Sequence, residues 1–278
     1  MRMQLRYVSS ATVRYLSLLL ASFVAVFPIL VVFFASFKTP YEYVNGNALA
    51  LPDRFTYLTN YSRAFLEGDM LLGFANTAIL MAASLAGAII LSSMVAYVLS
   101  RFRFRGRKLI ILGFLFATLV PGVTTQVATF RIINGLGLLN TRMAAIILYM
   151  GTDIVSIYIM LQFLDGFSVS LDESAMLDGA SYFTIWRRII LPLLSPAIAT
   201  VIIIKGVGIY NDFYTPFLYM PRMDLLTVST SLFRFKGPYG SEWQVICAGI
   251  VIATVPTLIC FLALQKHIYN GFTQGSVK

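Results

Sequence analysis

Six long apolar stretches separated by shorter polar segments organise the chain: residues 13–37, 71–99, 109–130, 144–164, 192–213 and 244–264. Each reaches the about 20 residues that an α-helix needs to cross the hydrocarbon core of a bilayer. In lipid, backbone N–H and C=O groups have no water to bond, so a spanning segment satisfies them internally as a helix. The pattern predicts an all-α polytopic membrane protein with six transmembrane helices, built as one membrane domain over 1–278. The first stretch is too long for a signal-peptide core and ends at Lys38 without a small-x-small cleavage pattern, so it is expected to remain as a span. One inter-span segment stands out: Asp165 to Leu191 is too polar to cross.

Composition agrees with this pattern. Hydrophobic residues make up 58% of the chain and charged ones 12%, against about 25% charged in soluble domains, which excludes an ordinary soluble globular protein. The net charge of +9 in so apolar a chain marks cytoplasmic loops rather than a nucleic-acid partner. If loops alternate across the membrane, the side of the N-terminus holds 12 basic residues, including the short Arg101–Lys108 loop, and the other holds 8 among the acids Glu42, Asp53, Glu67, Asp69, Asp224 and Glu242. Both termini are therefore expected in the cytoplasm. Cys247 and Cys260 share one apolar run, about 20 Å apart on a helix, too far to pair with each other. With a single histidine, His267, in the polar tail and no Cys/His cluster, no metal site is expected. Pro28, Pro121 and Pro256 lie inside spans, where each removes a backbone donor and allows a kink. Ala82, Ala83, Ala86, Gly87 and Ser93 give the second span the small residues that close packing in lipid requires.

The polar segment reads as two short helices. Ser170 and Glu173 have capping-box spacing, Gly179 is suited to the positive φ of a helix end, and Ser181 can cap a second helix bearing Phe183, Ile185 and Trp186. Arg187 and Arg188 close it, ahead of Pro192 and Pro196. On physics alone an amphipathic helix resting on the bilayer surface fits equally well.

The residues themselves go further. Glu173-Ser174-Ala175-Met176-Leu177-Asp178-Gly179-Ala180-Ser181, followed by Trp186 and Leu191-Pro192-Leu193-Leu194-Ser195-Pro196, resembles the EAA loop of ABC-importer permease subunits. The resemblance extends over most of the chain and is to the MalG-type branch of carbohydrate importers. It includes Asn76-Thr77, Ala96-Tyr97 with Arg101 to Arg107, Gly135-Leu136-Gly137-Leu138-Leu139-Asn140-Thr141, Asn211-Asp212-Phe213 near Pro216, and the tail from Gln265 to Lys278. Ser174 departs from the commoner alanine, and Tyr210 from the usual Trp before Asn-Asp.

The resemblance implies a type I ABC-importer permease architecture with a cytoplasmic coupling helix, multi-pass in a bacterial inner membrane. It implies a second permease subunit forming a heterodimer, ATP-binding subunits that carry ATP and Mg, and an extracytoplasmic solute-binding protein. Glu173 and Asp178 would then offer charge to the ATPase, Ala175 and Ala180 close approach, and Gly179 the bend. No cofactor is expected on this chain, which lacks a GxxxxGK[ST] phosphate loop: Gly106-Arg107-Lys108 has neither the earlier glycine nor the hydroxyl.

Asp153, Lys205 and Asp212 are ionisable residues inside the apolar runs, where each costs about 2.5–3.5 kcal/mol at a helix centre unless paired or wetted. Together with Tyr210 and Asn211 they are candidates for a translocation path, with Asp153 either paired to Lys205 or facing water. Tyr149, Tyr158, Phe213 and Tyr214 offer rings that stack on sugars or anchor at the interface. Two alternatives are an ion-coupled secondary carrier, which would use the same acids, and an ABC permease for a non-carbohydrate solute. An intramembrane enzyme would need an acid, base or nucleophile set, and the histidine is absent from the spans.

Overall fold

The computed structural model describes residues 2–47, 49–151, 154–237 and 240–274. Its helices in order are α1 (Arg2–Ala35), α2 (Pro40–Asn45), α3 (Thr59–Leu66), α4 (Met70–Arg101), α5 (Arg107–Leu119), α6 (Gly122–Gly135), α7 (Arg142–Met150) and α8 (Ile154–Asp165). There follow α9 (Ser170–Leu177), α10 (Tyr182–Ile185), a π-turn (Trp186–Ile190), α11 (Leu191–Leu193), α12 (Ser195–Asn211), α13 (Tyr214–Tyr219), α14 (Val228–Ser231) and α15 (Trp243–Gln274). A two-residue hairpin pairs β1 (Lys236–Gly237) with β2 (Gly240–Ser241).

Among the described residues, three helical segments are long and apolar enough to cross a membrane: Val13–Ala35, Met70–Arg101 and Trp243–Leu262. Three bent pairs bring the number to six if each is one span. The expected run 109–130 is not one helix, since Arg107–Leu119 and Gly122–Gly135 meet at 100°. Val120 and Pro121 are both extended (ψ 115° and 129°), and the proline has no N–H to continue the ladder. The run 144–164 is likewise two helices, α7 and α8. The run 192–213 begins on a segment, Tyr182–Leu193, bent by 73° from Ser195–Asn211.

The chain falls into two compact units, Met1–Leu71 with Ser231–Pro256, and Leu72–Thr230 with Thr257–Lys278. In the first unit, Thr39 caps α2 through a full capping box. Glu42 N–H donates to the Thr39 hydroxyl, and Thr39 N–H donates to Glu42 at 2.6 Å. The bonds from Thr39, with one from the Asp53 N–H, hold the Glu42 carboxyl at about 2, below the usual carboxylate range. Buried Asn60 donates to the carbonyls of Ser36 and Lys38 at the end of α1, while Arg63 pairs with Glu67 and Glu242. Both cysteines lie on α15 as free thiols.

The second unit has two apolar cores. One gathers Leu80, Ile133, Ala144, Ala145, Tyr219 and Met220. The other joins the Ala96–Leu99 end of α4 to Ile157, Met160 and Leu164 of α8, to Ala175, Ile185, Trp186 and Ile190 of the polar segment, and to Ala197 and Val201 of α12. The segment 165–191 is thus packed onto helices of its own unit along one side.

Asn76 and Thr77 tie the N-terminal half of α4 to the segment after α13. The Asn76 amide donates to the carbonyls of Asp224 (3.0 Å) and Leu226 (2.8 Å), and its oxygen accepts from Arg142 Nε (3.1 Å) and Nη2 (2.8 Å). Thr77 Oγ1 accepts from Val228 N–H at 3.1 Å.

Candidate functional site in the loop between α8 and α12

The loop's shape begins with α9. Ser170 is its first helical residue, so its hydroxyl is not placed to accept from the third turn position, and the expected Ser170–Glu173 box does not form. Val169 is the cap residue and makes no side-chain cap bond. Ser170 instead bonds the Ser168 hydroxyl at 2.7 Å. The acids Asp172 and Glu173 occupy the first turn, where the helix dipole favours negative charge.

Gly179 ends α9 as expected, at φ +83°. Its N–H donates to the Met176 carbonyl (3.0 Å) and the Ala180 N–H to the Ala175 carbonyl (2.9 Å), the two bonds of a Schellman motif. Ser181 then caps α10, accepting from the Thr184 N–H, also as expected. Burial separates two faces. Asp172 and Ala175 are buried, and Ala180 packs on the same core, so the two alanines are small on the side that meets the unit's own helices. Glu173, Asp178 and Gly179 are exposed, and Leu177 projects with 89% of its surface free.

Beneath the loop, Arg101 at the end of α4 donates through Nε to Asp172 at 3.2 Å, with side chains 7% and 3% exposed. The Trp186 indole N–H donates to Ser93 at 3.2 Å in the same interior.

Among the described candidate path residues, Tyr210 and Asn211 end α12 and Asp212 follows it, whereas Lys205 lies inside α12. Lys205 Nζ donates to the Gly151 carbonyl at 3.2 Å, placing a cation at the C-terminal end of α7, where the dipole favours it. Asp153 lies outside the described residues, and with it the proposed Asp153–Lys205 pair. Asp212 accepts at one oxygen from the N–H groups of Tyr214 (2.8 Å) and Thr215 (3.1 Å), and at the other from Tyr149 OH (2.9 Å). It starts α13 as an Asx-type turn. Asn211 is exposed, bonding the Val207 carbonyl one turn back, and Tyr210 is half-buried.

No protein-family model matches the chain. The sequence is 31% identical over 252 residues to the probable starch degradation products transport system permease protein AmyC of Thermoanaerobacterium thermosulfurigenes, covering 90% of this chain and 91% of AmyC. It is 33% identical over 190 residues to the trehalose/maltose transport system permease protein MalG of Thermococcus litoralis, 68% of each. In fold it is similar to a bacterial ABC transporter involved in the import of the acidic polysaccharide alginate. There the TM-score is 0.79 at 22% identity, covering 92% of this chain and 95% of that one. The chain belongs to the ABC-importer permeases.

A permease of this family is a membrane-spanning transport subunit, not an enzyme, and ATP is used by a separate ATPase. Of the loop residues expected to meet the ATPase, Glu173, Asp178 and Gly179 are exposed, whereas Ala175 is buried and Ala180 is partly buried against the unit's own helices. Sequence reasoning gave Arg101 and Ser93 no part in holding the loop from beneath and did not single out Asp172. A signal for Asp172 was present. It precedes Ala175 by three residues, so the two share a face of α9, while Glu173, one position on, is turned away from it.

Proposed function

We propose that this permease carries a sugar or oligosaccharide across a bacterial inner membrane and forms half of the translocation path with a second, related permease subunit. Two ATP-binding subunits carrying ATP and Mg, and an extracytoplasmic solute-binding protein, complete the assembly. The carbohydrate reading is supported by the solutes for which AmyC and MalG are named. The coupling reading rests on one observation: a loop whose inner face is buried in its own unit and whose outer face offers Glu173, Leu177 and Asp178 around a Schellman turn at Gly179. That outer face docks on the ATPase, with Ala175 and Ala180 supporting it from within. The whole chain acts as one permease domain. Lys205, Tyr210, Asn211 and Asp212 line or frame the path, together with Asp153.

Uptake of labelled oligosaccharide by cells holding the full set of subunits tests this reading. It is expected to vanish when this gene is deleted, to stop on ATP depletion and to persist with a protonophore while ATP is maintained. Uptake that follows the proton gradient instead would identify an ion-coupled carrier. Both termini face the cytoplasm in this reading. A cysteine at Asp53 is expected to react with an impermeant reagent in intact cells and one at Arg105 to be shielded; the reverse pattern inverts the topology.

A further inference from the structure

Two polar bonds fasten the loop to a single helix. Arg101 holds Asp172 at the start of α9, and Ser93 holds Trp186 after α10. Eight residues of α4 separate Ser93 from Arg101, about 12 Å of helix. The loop is therefore gripped at two separated points and does not pivot about either. Between them Ala96, Tyr97 and Leu99 pack in one core with Ala175, Ile185 and Ile190.

Stability alone is a weak reason for a buried ion pair. Arg101 Nη2 and Asp172 Oδ1 are buried without a hydrogen-bond partner among the described residues. The attraction in a buried pair has to offset the desolvation of both charges, and apolar side chains of similar volume often serve stability as well or better. What a directional pair adds is a fixed register between two elements.

The other end of α4 is also tied. Asn76 and Thr77 bond the segment 224–228, and Gly73 lies so close to it that a Cβ there would stand 3.2 Å from the backbone of Thr227 and Val228. From Asn76 to Ser93 is about 25 Å of helix, and α4 contains no proline.

We propose that α4 is a rod: the Arg101–Asp172 and Trp186–Ser93 bonds make it move with the coupling loop as one body, and Asn76, Thr77 and Gly73 pass that displacement to residues 224–228 at its far end. Arg101, Asp172, Ser93 and Trp186 are positioning residues. The inference rests on the loop being the ATPase docking surface, and it adds which helix receives the motion.

The test uses the assembled transporter reconstituted in lipid, with its ATPase, second permease and solute-binding protein. The double variant Arg101→Met with Asp172→Leu fills the same space without a directional bond. It is expected to assemble with the ATPase at the wild-type level. Stimulation of ATP hydrolysis by loaded binding protein should fall about tenfold, the size of an ordinary coupling free energy. Arg101→Lys keeps the charge and a donor group able to bond one carboxylate oxygen, so it should retain most of the stimulation, because the present pair is not a bidentate fork. Spin labels at Val98→Cys and Leu171→Cys, in a chain with Cys247→Ser and Cys260→Ser, read the rigid body directly. Their distance should be the same in nucleotide-free and ATP-bound wild-type transporter and broaden in the double variant. Wild-type stimulation in the double variant, or a label distance that changes with ATP in the otherwise native chain, overturns the rod. Absence of ATP-driven uptake by the unaltered assembly overturns the functional reading as well, an outcome distinct from a defect confined to the variants.

Discussion

Gly179→Val is expected to abolish transport while the subunit still inserts in the membrane. Gly179 sits at φ +83°, a region that costs an ordinary L-residue about 1–2 kcal/mol and a β-branched one more. The Schellman bonds from Gly179 and Ala180 back to Met176 and Ala175 depend on that conformation. Without them α9 and α10 lose their fixed angle, and Leu177 and Asp178 leave the outer face proposed to dock on the ATPase. A Cβ at Gly179 would meet nothing within 4 Å in this chain, so any defect arises from the backbone or from contact with the ATPase. Two further variants separate these causes. Asn tolerates left-handed backbone better than Ala but is larger. Stimulated ATPase activity greater in Gly179→Asn than in Gly179→Ala points to the backbone; the opposite order points to a tight docking surface. Wild-type solute-stimulated hydrolysis in Gly179→Val would remove the turn from the coupling mechanism.

Local physics makes this turn legible in the sequence. A glycine followed by a capping serine between two short helical patterns needs only its neighbours to define it, and both Gly179 and Ser181 behave accordingly. The Ser170–Glu173 box has an equally local pattern, yet it depends on which residue opens the helix, and the chain enters α9 at Ser170 rather than after it. The continuous spans α1, α4 and α15 are readable because their apolar runs are unbroken, and in α1 and α15 the helix continues through Pro28 and Pro256. The break between α5 and α6 is only half readable: Pro121 allows a kink, but the same residue type sits inside unbroken helices at Pro28 and Pro256, and nothing in the sequence says that here the backbone turns by 100°.

Long-range polar pairing is the least accessible. Arg101 and Asp172 are 71 residues apart, and each is flanked by similarly charged residues that face outward. Nothing in the sequence says which arginine of the 101–107 cluster turns inward. Asp212 illustrates a reading of location without role. The sequence places it inside the apolar run 192–213; in the structure it follows the last residue of α12, where two backbone N–H groups and Tyr149 bond its oxygens. Those bonds make Asp212 a residue that shapes the α12–α13 corner. The spacing Asp-Phe-Tyr-Thr, an acid two and three residues before free N–H groups, is the available sign of an Asx-type turn.

Asn76→Leu is expected to release the segment 224–228 and to cause the largest stability loss of any single polar-to-apolar change on α4. An asparagine amide supplies two donors, and its oxygen two acceptor positions. All four are used here, the donors on the carbonyls of Asp224 and Leu226 and the acceptor positions on Arg142. Leucine matches the volume but leaves those groups unbonded at a fully buried site, at about 1–3 kcal/mol for each group that cannot reach water. Asn76→Asp keeps the acceptors for Arg142 but turns a carboxylate oxygen toward two carbonyls, so it should rescue only part of the loss. Arg142→Met removes one partner and spares the bonds to 224 and 226, so it should be milder than either. Protease sensitivity between Arg222 and Ser229, together with the thermal midpoint of the purified transporter, reads all three. The expected order of damage is Asn76→Leu, then Asn76→Asp, then Arg142→Met. If Arg142→Met proves the most damaging, the guanidinium rather than the amide organises this corner. If cleavage in Asn76→Leu matches wild type, the segment is held by Thr77 and Gly73 alone, and α4 meets it through backbone contact rather than through its asparagine.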